Sequence, residues 1–306
     1  MTTPMTTPMT ALRGVIPPAT TPFDEDEKIN FAALRHQVDW LIHQGVHGIA
    51  AGGSTGEGHT LEAGEFTQLI EATVEAAAGR VPIVAGIITD STRDAVQRGK
   101  SIAGAGVAAL QVTPVHYLFR PNDDAMLEHF RVLTEETGMP VIIYNVVPWT
   151  YLDPPLLLRI MREVPGVIGV KQSAGDLKLF ADLMLDARPE DHIFCAVDAL
   201  LYSAYTLGAP GSIAAILTAA PRASVDLWDA VQAGDHAHAH DLHKRLLRLW
   251  NAMLHDNLPA CTKYAQGLQG CPVGRPRAPM PPASPEQQLA IRTALEGLDI
   301  RLEAAE

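Results

Sequence analysis

Eight short apolar or β-branched runs punctuate the first 220 residues, at 14–23, 48–54, 82–88, 108–114, 140–147, 166–173, 192–198 and 211–216. Nearly all are continuous rather than alternating, as strands covered on both faces must be. Stretches of helical period fill most of the intervals, at 28–44, 62–78, 91–105, 122–137, 153–163 and 176–187. Glycine or proline marks the junctions, among them Gly45, Gly79, Gly104, Gly138, Pro165 and Gly208, where a helix stops and a new strand begins. Repeated βα units close into a barrel or lie open as a doubly wound sheet. Eight units within residues 12–220 fit a (β/α)8 TIM barrel, typically about 250 residues long, better than the open sheet.

After residue 220 the strands stop. Helical text at 221–255, 257–268 and 284–304, interrupted by a proline-rich stretch at 272–285, predicts a C-terminal helical region spanning 221–306. Residues 1–11 repeat Met-Thr-Thr-Pro, with neither a basic region nor an apolar run, and are expected to form a disordered tail. A chain of 306 residues buries a large core without disulfides, and Cys195, Cys261 and Cys271 form no Cys-x-x-Cys pair, which suits a reducing, cytoplasmic setting. The net charge of −12 argues against nucleic acid as a partner. No apolar run approaches the roughly 18 residues of a membrane helix, so the expectation is a protein with no membrane partner.

In a barrel, chemistry belongs at the C-terminal ends of the strands. Those ends read Thr20-Thr21-Pro22-Phe23, Gly53-Ser54-Thr55-Gly56-Glu57, Thr113-Pro114, Tyr144-Asn145, Lys171-Gln172-Ser173 and Asp198. Of six lysines, Lys171 alone ends an apolar strand. A lysine facing the barrel interior is partly desolvated, which favours the neutral amine that attacks a carbonyl to form a Schiff base. The competing reading is a lysine that reaches outward to pair with a loop carboxylate. The Ser54-Thr55 turn offers hydroxyls and successive backbone N–H groups to a carboxylate, and Tyr144 offers a phenol for proton transfer.

Together these residues spell a pattern. The chain resembles the dihydrodipicolinate synthase/N-acetylneuraminate lyase family, class I aldolases, from about residue 12 to 300. The motifs are Pro18–Phe23, Gly53–Glu57, Val112-Thr113-Pro114, Tyr144-Asn145, Gly169-Val170-Lys171-Gln172 and Gly208–Ile213. The resemblance implies a Lys171 imine with pyruvate or another 2-oxo acid and no cofactor or metal. It further implies that Tyr144 and Ser54 form an acid/base relay, that Ser54, Thr55 and Gly53 hold the substrate carboxylate, and that Ile213 lines the site. Tyr117 matches a second tyrosine that reaches into a neighbouring subunit, and the expected assembly is a homotetramer.

One departure bears on substrate. Members making dihydrodipicolinate carry an arginine after Tyr-Asn-Val-Pro that clamps the second substrate's carboxylate. Here the text is Tyr144-Asn145-Val146-Val147-Pro148-Trp149, with no arginine from 132 to 158. Losing such a clamp removes about 1.5 to 3 kcal/mol of charge-assisted contact. Trp149 would supply an apolar wall, and Gln172 stands where a glutamate is common in the synthases. The expectation is therefore a class I lyase or aldolase that makes or breaks a C–C bond, or dehydrates, with a second substrate that is not a carboxylate-bearing semialdehyde. The alternatives are 4-hydroxy-tetrahydrodipicolinate synthase, with Arg120 as a replacement cation, and a non-catalytic barrel that binds 2-oxo acids. His236, His240 and His243 share a helix face at a spacing that permits zinc, but are read as a solvated face away from the barrel mouth. His59 lies near the site without a catalytic role.

Overall fold

A computed structural model describes residues 12–303; the expected tail at 1–11 lies outside them. Eight parallel strands form one sheet: β1 (Gly14–Val15), β2 (Ile49–Ala51), β3 (Ile83–Ile87), β4 (Ala109–Val112), β5 (Val141–Asn145), β6 (Val167–Gln172), β7 (His192–Cys195) and β8 (Gly211–Ser212). They are ordered β1-β8-β7-β6-β5-β4-β3-β2. The remaining seam is joined by hydrogen bonds from His47 N to Val15 O, Ala50 N to Pro17 O and Ala19 N to Ala50 O. The architecture is the (β/α)8 barrel the apolar periodicity predicts.

Eight helices follow the strands: α1 (Phe31–His43), α2 (Ala63–Ala77), α3 (Thr92–Ser101), α4 (Asp123–Thr137), α5 (Pro154–Glu163), α6 (Leu177–Asp186), α7 (Leu201–Thr206) and α8 (Ile216–Ala219). Asn30, Ser91, Asn122 and Asp153 cap α1, α3, α4 and α5, each accepting from a backbone N–H three residues on. Helix α7 fills the one interval before β8 where no helical stretch was read. The C-terminal region forms α9 (Pro221–Gln232), α10 (His236–Met253), α11 (Leu258–Gly267) and α12 (Pro285–Glu296). The expected single stretch at 221–255 is two helices, broken at Gly234, whose φ of 74° lies in the left-handed region where glycine carries no steric penalty. Among the described residues, no helix is long and apolar enough to cross a membrane.

Two apolar layers hold the fold together. A small inner cluster, Ile16, Ala50, Val84, Ala109, Ile142, Ile168 and Phe194 among it, fills the barrel. A much larger one lies between strands and helices. The inner layer closes the bottom of the barrel, so polar side chains further along the same strands are held above a dry floor.

Candidate active site

Lys171 reaches the interior through an irregularity. Strand β6 pairs with β5 as Val141↔Val167, then Ile142↔Gly169, so Ile168 is an extra residue in the ladder. Strict alternation from the outward-facing Val167 would send Lys171 outward as well. The bulge reverses the phase and sets Lys171 beside Tyr144 on the inner face. Gly169 is required there, since a Cβ would stand 2.1 Å from the carbonyl oxygen of His192.

Lys171 and Tyr144 are 3% and 4% exposed. The Lys171 ammonium nitrogen sits 3.7 Å from the centroid of the Tyr144 ring. Tyr144 in turn donates its hydroxyl proton to Ser54 Oγ at 3.0 Å, across 90 residues of sequence. A cavity of about 520 Å³ opens onto this cluster, and Ser54, Thr55, Tyr144, Lys171 and Ile213 are all in its wall. Gly53 lies just below, packed so closely on β4 that an added Cβ would stand 2.8 Å from Gln111 Nε2.

The structure separates two other candidates from this group. Trp149 is 69% exposed and donates its indole N–H to the carbonyls of His116 (2.7 Å) and Tyr117 (3.1 Å). It stands outside the cavity wall expected of it, because those carbonyls turn the indole toward the loop after β4. Tyr117 is 66% exposed and likewise outside the cavity. Arg120, the replacement cation considered above, is exposed and lies 3.6 Å from Asp123. Gln172 is buried as a brace. Its Oε1 accepts from Asn145 Nδ2 (3.1 Å) and Ala174 N (3.2 Å), and Asn145 clasps the backbone of Leu152 in both directions.

Several cavity residues went unassigned in the sequence. Tyr151 donates its hydroxyl to the carbonyl of Ser173 at 3.2 Å, and burial pushes its phenol above the usual range. Asp198, at the end of β7, is buried in the wall, where desolvation pushes its carboxyl up to about 6. Backbone N–H donors, Ile216 N at 2.6 Å among them, and the charge of Lys171 pull the other way. Its place at a strand end was the legible signal. Trp250, Asp256 and Met280 also line the cavity. They come from the C-terminal region, so part of that region covers the barrel mouth, and no local pattern announces it. His59 contributes to the rim.

His236, His240 and His243 surround the ring of Tyr202 instead, with centroids 6.1, 5.9 and 6.0 Å away. Among the described residues no group of three or more His, Cys, Asp or Glu side chains is arranged to hold a metal ion.

The model of the Dihydrodipicolinate synthetase family matches residues 11–298. A 4-hydroxy-tetrahydrodipicolinate synthase from Ralstonia nicotianae is 34% identical over 291 residues, 94% of this chain and 98% of that protein. Among solved structures, a putative dihydrodipicolinate synthetase from Pseudomonas aeruginosa superposes with a TM-score of 0.89 at 32% identity, covering 94% of this chain and 99% of that one. YagE from Escherichia coli K12, a member of the same family solved in complex with pyruvate, superposes with a TM-score of 0.90 at 25% identity, again over 94% and 99%.

Proposed function

This chain belongs to the Dihydrodipicolinate synthetase family and is a lyase of its Schiff-base-forming kind, and from that premise we propose that it acts on pyruvate, or a close 2-oxo acid, through Lys171. The observation that carries the reading is the buried chain of contacts from the Lys171 amine to the Tyr144 ring and from the Tyr144 hydroxyl to Ser54 Oγ. The neutral amine attacks the keto carbon, and water leaves the carbinolamine to give an iminium. Proton traffic in these steps runs through the Tyr144–Ser54 relay. Loss of a C3 proton then yields an enamine, whose carbon attacks the second substrate; in the cleavage direction, breaking the C–C bond at C3 of the iminium yields the same enamine, and water finally releases the product from Lys171. Ser54, Thr55 and Gly53 hold the carboxylate of the 2-oxo acid, and Ile213 closes the far wall. No cofactor or metal takes part.

The second substrate in this reading carries no carboxylate. Among the described residues, Lys171 is the one lysine in the cavity wall, no arginine joins it, and two carboxylates, Asp198 and Asp256, do. A second carboxylate, beyond the one that Ser54 and Thr55 hold, would meet like charge there rather than a clamp. The competing reading, 4-hydroxy-tetrahydrodipicolinate synthase, is favoured by the names of the curated relatives. A non-catalytic binding barrel is the third.

Tyr117, Leu118, Phe119 and Trp149 form an exposed apolar loop cluster. It suits contact with a second copy, in which Tyr117 would complete the neighbour's relay, and a homotetramer in the cytoplasm is the expected form.

Reduction with borohydride in the presence of pyruvate, read by intact mass, tests the reading. A mass increase equal to one reduced pyruvate adduct is expected. Trials of aldehyde partners then separate the first two readings: faster turnover of aspartate semialdehyde than of uncharged aldehydes would favour the synthase. An adduct without turnover of any partner would favour the binding barrel.

A further inference from the structure

The chain buries a second lysine that imine chemistry does not use. Lys263 on α11 and Glu57 on the turn after β2 form an ion pair 2.7 Å long, with side chains 2% and 0% exposed. Burying two charges is costly, and an apolar pair of the same volume is often as stable, so net stability is a weak reason for this pair. Its surroundings are specific. Lys263 Nζ donates to the Arg275 carbonyl at 2.8 Å and lies 4.6 Å from the Phe23 ring centroid. Glu57 accepts from Arg277 N at 2.8 Å through its other oxygen.

What the pair grips is the substrate turn itself. Glu57 is left-handed, with φ 55°, a conformation that is strained for a non-glycine residue and needs outside support. On either side the backbone is sealed. A Cβ at Gly56 would stand 2.7 Å from the Ala19 carbonyl, and one at Gly58 only 1.8 Å from that of Gly52. Thr21 Oγ1 donates to the Gly56 carbonyl at 2.5 Å, and Thr20 Oγ1 donates to Gln266 Oε1 on α11 at 2.8 Å. The Thr20–Phe23 motif, to which the chemistry assigns no role, thus joins the same scaffold. Ser54 and Thr55 sit three and two residues before Glu57 in this turn.

We propose that the Glu57–Lys263 pair is a positioning device: it fixes Ser54 and Thr55 against the carboxylate of the 2-oxo acid, and so makes α11 a working part of the active site. The proposal rests on the Lys171 imine reading. Lys171 and Tyr144 are carried on β6 and β5, so loosening the pair weakens capture of the acid and leaves the nucleophile in place.

The test is a saturation curve of borohydride-trapped pyruvate adduct for the parent chain, Lys263→Met and Glu57→Asp. Lys263→Met raises the half-saturating pyruvate concentration by about 10- to 100-fold, the scale of misplacing a binding group by about 1 Å, with unchanged adduct yield at saturation. Glu57→Asp keeps both charges but shortens the reach by one methylene, and raises it by about tenfold. A lower melting temperature in Glu57→Asp with half-saturation unchanged overturns the proposal, even if Lys263→Met does not fold. Loss of adduct yield at saturating pyruvate in a folded variant overturns it too, because the pair would then be supporting Lys171. Absence of adduct in the parent chain is a separate outcome that defeats the imine reading itself, and this proposal with it.

Discussion

Two aromatic clusters flank the barrel mouth, and they differ in what surrounds them. Tyr144 lies inside, 4% exposed, with its ring against Lys171 and its hydroxyl on Ser54. Trp149, five residues on, is 69% exposed and bonded to two carbonyls of a neighbouring loop. The two are near in sequence, Tyr144 within the fifth strand and Trp149 in the turn that follows it. What separates them is whether regular strand geometry holds the residue: Tyr144 inherits its direction from the β5 ladder, whereas Trp149 belongs to a turn whose direction is set by its own hydrogen bonds. A residue on a regular ladder can be assigned to a face from sequence; one beyond the ladder, or one past a bulge such as Lys171, cannot.

The largest break of that contrast is at the inner cluster. Lys171→Ala abolishes the reducible pyruvate adduct with little loss of fold, as mass spectrometry and circular dichroism would register. An adduct of undiminished yield would place the nucleophile elsewhere. Tyr144→Phe keeps the ring over Lys171 but removes the proton donor. Deuterium exchange at the pyruvate methyl group, followed by NMR in D2O, slows by about 10²- to 10⁴-fold.

Asp198 sharpens the comparison through pH. Its folded carboxyl titrates at about 6, above the ordinary 3.8, chiefly because it is buried. The folded chain therefore holds this proton more tightly than the unfolded one. The group's cost to stability is absent below about pH 4, grows between about pH 4 and 6, and is constant above. Raising the carboxyl from 3.8 to about 6 corresponds to a cost on the order of 3 kcal/mol. Asp198→Asn, which keeps an oxygen for Ile216 N, removes that component: denaturation of the two proteins at pH 4 and pH 7 gives a difference that grows with pH in favour of the variant. A difference that stays flat would contradict the burial argument. At the outer cluster the effect is smallest. Trp149→Ala changes the rate of pyruvate adduct formation by no more than about twofold, as a surface substitution within about 0.5 kcal/mol would. A larger loss would bring the indole back into the site.

Much of the site was legible because strand ends in a barrel share one rim. Lys171, Tyr144, Ser54, Thr55 and Ile213 reach one cavity as the motif order implies. Asp198 was visible as a strand-end carboxylate, without a partner to give it meaning. Trp250, Asp256 and Met280 were not visible, since the helical text after residue 220 carries no sign of which surface it covers. The same holds for Lys263, whose partner Glu57 lies more than 200 residues away.

The sequence by itself determined the repeating βα order and the closure-sized count of strands, and put Lys171 forward as the candidate nucleophile, because apolar periodicity and residue type are local properties. The tertiary structure alone decided that Lys171 faces inward, since the pairing of β6 with β5 inserts Ile168 and the contact of Gly169 with His192 leaves no room for a side chain. It alone brought the C-terminal region over the mouth and Lys263 onto the turn after β2. Those outcomes depend on which distant surfaces pack together, and one-residue changes of register or the burial of a charge are settled by three-dimensional contact rather than by neighbours along the chain.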